Sequence, residues 1–179
     1  MFPDNSADYE DDFDGYVPDE DDAFEARVWN LLMLINPGDE DTALRQFGGW
    51  RELNGGEEVD GPELLLQLKD ILDWTSGFHV ETGDNETLMD ALDQQAARWS
   101  IEIDWGGDRD DDEFMSALDA GELLGLAYDR LREDGYTLWT WDAGMEASAG
   151  FVALRRDDDG MRALSQLLGF DLRPGSDPF

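Results

Sequence analysis

The sequence predicts an α+β fold, a small mixed or antiparallel sheet of about four strands covered by helices, closing with a C-terminal hairpin and helix. Three observations predict it. Apolar residues recur at three- and four-residue spacing in six stretches, the signature of amphipathic helices. Two late runs, YTLWTWD (136–142) and SAGFVALRR (148–156), are rich in aromatic and small apolar residues and are separated by about six residues, which a hairpin satisfies economically. Helices come first, strands are mixed among the later ones, and the order ends in the hairpin, which reads as an α+β layer structure.

Taken in order, residues 1–21 read as an acidic disordered or loosely held tail, with Pro3, Gly15 and Pro18 as breakers. A single domain is expected over 22–172. Its first helix carries Phe24, Val28, Leu31, Leu32 and Ile35, with Asp21 or Asp22 as cap and Asn36-Pro37-Gly38 as stop. A short helix over about 39–47 turns Ala43, Leu44 and Phe47 inward, and GGWRELNGGEEVDG (48–61) reads as a Gly-rich loop. Pro62 opens a helix whose buried face is Leu64, Leu65, Leu68, Ile71 and Leu72.

FHVE (78–81) is a short strand, and 84–97 is helical through Leu88, Leu92 and Ala96. In WSIEIDW (99–105), Ile101, Ile103 and Trp105 alternate with Glu102 and Asp104, which predicts a half-buried strand. Residues 111–134 read as a helix broken near Gly121. After the hairpin, Gly160 to Gly169 gives a last helix packed through Met161, Leu164, Leu167 and Leu168, and residues 173–179 read as a C-terminal tail.

The chain has 179 residues, 45 of them acidic and 12 basic, for a formal net charge of −33. Residues 1–22 supply ten of the acids. The other 157 residues still hold 35 acids against 12 bases, so the acidity belongs to the folded body as well. Such a charge opposes direct binding to nucleic acid or to anionic membranes and favours basic proteins or cations as partners. Eleven of the 12 basic residues are Arg and only Lys69 is Lys, a bias that salt adaptation or GC-rich coding also produces. There are no cysteines, which fits a reducing cytoplasm, and the acidic N-terminus lacks the apolar segment of a signal peptide. The longest apolar run, Leu31 to Ile35, is too short to span a bilayer.

Three groups of residues are candidate sites. Glu102 and Asp104, with His79 and Glu81 on a neighbouring strand, would form an acidic face able to move protons or join a metal, against the simpler reading of a wet sheet face. Asp108, Asp110 and Asp112, in GGDRDDDEF, begin with the spacing of a calcium loop. Glu113 then stands where that loop needs Gly, and acids at the start of a helix explain the cluster more cheaply. Asp157-Asp158-Asp159 reads as another helix cap. Among the tryptophans, Trp139 and Trp141 share one strand face. Turned outward they would grip Arg-bearing partners, while turned inward they are core.

The motifs WSIEIDW and TLWTWDAGMEASAGFVAL resemble an uncharacterised bacterial family of small acidic α/β proteins over roughly residues 25–170. The resemblance implies the fold and no activity, and it carries over no catalytic residue. No motif calls for a cofactor, and Ser and the single His are not spaced as a triad. The reading therefore leans away from an enzyme. It is a cytoplasmic acidic protein that holds a basic protein partner, of the inhibitor, immunity or DNA-mimic kind. Tyr9, Phe13 and Tyr16 in the tail, with Glu102, Asp104, Trp139 and Trp141, are its expected contacts. The alternatives are a small metal-assisted hydrolase built on the acidic strand face and Asp108–Asp112, or a housekeeping protein whose acidity suits a salty cytoplasm.

Overall fold

A computed structural model describes residues 20–55 and 57–179. The first nineteen residues, which hold Tyr9, Phe13, Tyr16 and most of the expected tail, lie outside the described residues. Seven helices and four strands follow in order: α1 (Glu20–Ile35), α2 (Glu40–Asn54), α3 (Gly61–Ile71), β1 (Phe78–Glu81), α4 (Asn85–Ala97), α5 (Asp112–Ser116), α6 (Ala120–Glu133), β2 (Tyr136–Trp141), β3 (Ala147–Leu154), α7 (Asp158–Leu168) and β4 (Leu172–Pro174). The fold is α+β, as expected.

The strands form one antiparallel sheet in the order β1-β3-β2-β4. The hairpin pairs Trp139 with Phe151, and β1 pairs Phe78 with Gly150 on its other side. Residues 173 and 174, at the start of the expected C-terminal tail, belong to β4, where Arg173 pairs with Thr140. Helices cover both faces. One layer packs α1, α2, α3 and α7 on Trp139, Trp141, Ala149, Phe151 and Ala153. The other packs α4, α6 and residues 101–105 on Phe78, Val80, Leu138 and Val152. A sheet buried on both sides has no wet face, which is why β2 is buried from Thr137 to Trp141 without alternation.

Periodicity places the helices well. In α1, Phe24, Val28, Leu31, Leu32 and Ile35 are all buried; the helix starts at Glu20 and so takes in residues 20 and 21. Pro62 sits in the first turn of α3, capped by Asp60, whose carboxylate accepts from the Glu63 N–H at 2.9 Å. The expected break near Gly121 is real but falls just before it. Asp119 caps α6 reciprocally with Glu122, and residues 117–119 separate α5 from α6.

Two expectations fail in instructive ways. Residues 48–54 are not loop, because α2 runs through Gly48-Gly49 and ends at Gly55, whose φ of 74° suits glycine. Each helical glycine costs about 1 kcal/mol against Ala. Fully buried Trp50 offsets this: its ring meets Phe24 and Phe47 at 5.8 Å each, and its Nε1 donates to Gln67 at 2.9 Å. The inward positions are Ala43, Gln46 and Trp50, so Leu44 is 59% exposed rather than buried.

Residues 99–105 are not a strand either. Ile101, Ile103 and Trp105 are buried and Glu102 and Asp104 exposed, as the alternation predicts. The segment nevertheless lies outside the sheet, extended across the α4–α6 layer, with Trp105 Nε1 donating to Asp93 of α4 at 3.2 Å. Alternation reports an extended chain over an apolar surface and says nothing about a ladder partner. In α7, Met161, Leu164 and Leu168 are buried but Leu167 is exposed.

Candidate functional site

The structure separates the four residues of the expected acidic face. Because residues 99–105 are outside the sheet, Glu102 and Asp104 point to solvent from the α4–α6 layer. His79 alternates with Phe78 and Val80 along β1 and faces the opposite layer, where its ring meets Trp141 at 5.8 Å. Glu102 and Asp104 instead begin an exposed acidic ridge, continued by Asp108, Asp110, Asp111, Asp112 and Glu113. The cation within it, Arg109, turns inward onto α4, bonding Asp90 at 2.6 Å and Asp93 at 3.3 Å. Burial pushes the Asp93 carboxyl up, against the opposing pull of the Trp105 N–H and Arg109.

Asp108, Asp110 and Asp112 do not converge. Asp108 accepts from the Asp110 N–H at 2.9 Å in a local turn, and Asp111 caps α5. Among the described residues, no group of three or more carboxylates or histidines is arranged to hold a metal ion. The acids at 157–159 are not simple caps: Asp158 accepts from Arg132 and from the Thr137 hydroxyl, each at 2.7 Å, tying α7 to α6 and β2. Trp139 is fully buried and Trp141 is 6% exposed, so neither is an outward gripping surface. Both fill the layer under α1 and α3, the inward alternative.

One enclosed, largely apolar concavity is not singled out by the sequence; a larger but more open and polar one lies beside it, along Glu81, Thr82 and residues 143–147. The first is a pocket of about 360 Å³ between α3 and the sheet. Leu65 and Leu68 wall it from α3, Leu72 and Trp74 from the segment that follows, and Phe78, Trp141 and Phe151 from the sheet. Gly77 and Gly150 complete it; a Cβ on Gly77 would come within 2.9 Å of the Leu72 side chain. Two polar side chains reach it, Lys69 and His79. They are the chain's single lysine and single histidine. Burial, and then the Lys69 ammonium, hold the His79 imidazole below its ordinary value, so the ring is neutral at pH 7. Among the described residues, Lys69 has one carboxylate neighbour, exposed Asp70, at 3.6 Å.

Beside this pocket the interior holds polar groups of a different kind. Asn36 donates to Gln46 at 2.8 Å, Gln46 to Ser76 at 2.9 Å, and Ser76 back to Asn36 at 2.6 Å. All three are buried. Nearby, Arg98 donates to the Ile35 carbonyl at 2.9 Å and lies 4.3 Å over Trp99, which stacks on Tyr136 at 3.9 Å. Burial pushes the Arg98 guanidinium down to about 10, still protonated at neutral pH. These groups join α1, α2, α4 and β2, and their role is structural.

No helix of the described residues is long and apolar enough to cross a membrane. No curated protein and no solved structure matches the chain. Residues 27–175 match the family described as Domain of unknown function (DUF6630), and the chain belongs to that family.

Proposed function

We propose that this DUF6630 member is a non-enzymatic binding protein whose acidic exterior engages a basic protein. One observation carries the reading, the ridge from Glu102 to Glu113. It presents seven exposed carboxylates, and the arginine among them is consumed by α4. Arg130 also reaches the ridge, donating from Nε to the Glu102 carbonyl at 3.1 Å, but its guanidinium is bonded to Asp134. Opposite charge accelerates encounter and makes binding salt-sensitive. An inhibitor, immunity protein or DNA mimic would use such a surface, since a duplex presents about one charge per 1.7 Å of axis.

The test uses the full chain and a variant carrying Asp110→Asn, Asp112→Asn and Glu113→Gln, which leaves the cap Asp111 intact. Each is immobilised, exposed to lysate of the source organism and eluted with a salt gradient. One basic protein retained by the parent, released at raised salt and lost from the variant is the expected result. Equal retention by both removes the ridge from the interface, and no retention by either overturns the reading. A second variant with Tyr9, Phe13 and Tyr16 changed to Ala reports whether the N-terminal aromatics contribute.

A further inference from the structure

The pocket between α3 and the sheet is independent of the acidic ridge, and its chemistry is the reverse of the rest of the surface. Its volume of about 360 Å³ lies within the range of small-molecule sites, roughly 300–1,000 Å³. Its walls are leucine, phenylalanine and tryptophan, and Trp74 stays 41% exposed at its side. Such walls favour an apolar body.

The polar groups define the rest of the ligand. In a chain of 45 acids, the pocket receives the single lysine and the single histidine. Lys69 and Asp70 are adjacent on α3, and the Asp70 side chain is 64% exposed. An exposed pair of this kind is weak, so the ammonium is free to exchange partners. The neutral imidazole of His79 supplies one donor and one acceptor. A cationic ligand would meet the Lys69 ammonium. A polyanion would be repelled by a body of net charge −33. A single negative charge on an apolar tail satisfies both constraints.

We infer that this pocket binds a small amphipathic monocarboxylate, with the carboxylate at Lys69 and His79 and the apolar body between α3 and β1.

The experiment titrates the full chain with octanoate, octanol and octylamine, which share a tail and differ in charge, by calorimetry at low salt. Octanoate is expected to bind best. Lys69→Met is expected to weaken octanoate by about fivefold, the scale of one partly exposed ion pair, and to leave octanol unchanged. Trp74→Ala is expected to weaken all three probes, since it removes wall and no charge. Both substitutions are at exposed positions, and a thermal melt of each variant confirms folding. The inference is overturned if none of the probes binds at millimolar concentration, if octylamine binds as well as octanoate, or if Lys69→Met leaves octanoate binding unchanged.

Discussion

Two neighbouring groups of polar side chains reach the interior, and they behave differently there. The Asn36–Gln46–Ser76 ring closes on itself, each side chain bonding the next. Lys69 and His79 open onto a cavity, and the carboxylate that Lys69 meets is solvent-facing. A closed network fixes geometry, because opening it strands groups away from water. An open pair leaves bonding capacity toward the cavity. Ser76 belongs to the first, while Gly77 and His79 line the second, so one short stretch serves both.

The contrast is broken most severely from α2. Trp50→Ala removes the indole that holds the helix past its two glycines, and Gln46 rides on the same helix. The expected cost is about 4 kcal/mol, read from denaturant unfolding. Gln46→Leu attacks the ring alone. Asn36 and Ser76 are left short of partners at roughly 1–3 kcal/mol each, so a loss of about 3 kcal/mol is expected by the same measurement. A loss below about 1 kcal/mol would mean that water repairs the ring.

At the pocket, Lys69→Met should move stability by no more than about 0.5 kcal/mol while changing ligand preference. A large loss there would make the lysine structural and erase the distinction. The smallest effect is pH-dependent. The folded His79 pKa is depressed, so the unfolded chain takes up a proton first as pH falls. The stability that neutral His79 contributes is present above the unfolded value of about 6.5 and is lost as pH drops through the folded value. His79→Gln should lack this component, so the parent should lose melting temperature relative to it between pH 7.5 and 5.5. The single imidazole also gives one set of ring signals by NMR, titrating below the unfolded value.

Much of the architecture was legible because helical burial writes itself into spacing. Val28, Leu31, Leu32 and Ile35, or Leu64, Leu65 and Leu68, need no partner to be recognised. What failed needed tertiary information. Ile101, Ile103 and Trp105 alternate whether or not a strand edge is available. The Gly48-Gly49 pair looks like a break until Trp50 has a pocket to fill. The counts of one lysine and one histidine were visible, yet Lys69 and His79 line one cavity only because the loop after α3 returns the chain along β3. The ring was hidden for the same reason, since Ser76 lies 40 residues from Asn36.

The layering also bears on the order in which the molecule can be made. α1 packs on α7, and the two flanks of β2–β3 are completed by β1, which precedes them, and β4, which follows. The second helix covers part of the first as soon as it is made, but the rest of the α1 stripe waits during synthesis for β3 and α7, more than a hundred residues downstream. Contacts so distant in the chain slow folding, whatever the helical content. Trp139 and Trp141, at the centre of that layer, lose water only when early and late segments meet, and their fluorescence is the natural clock for that closure.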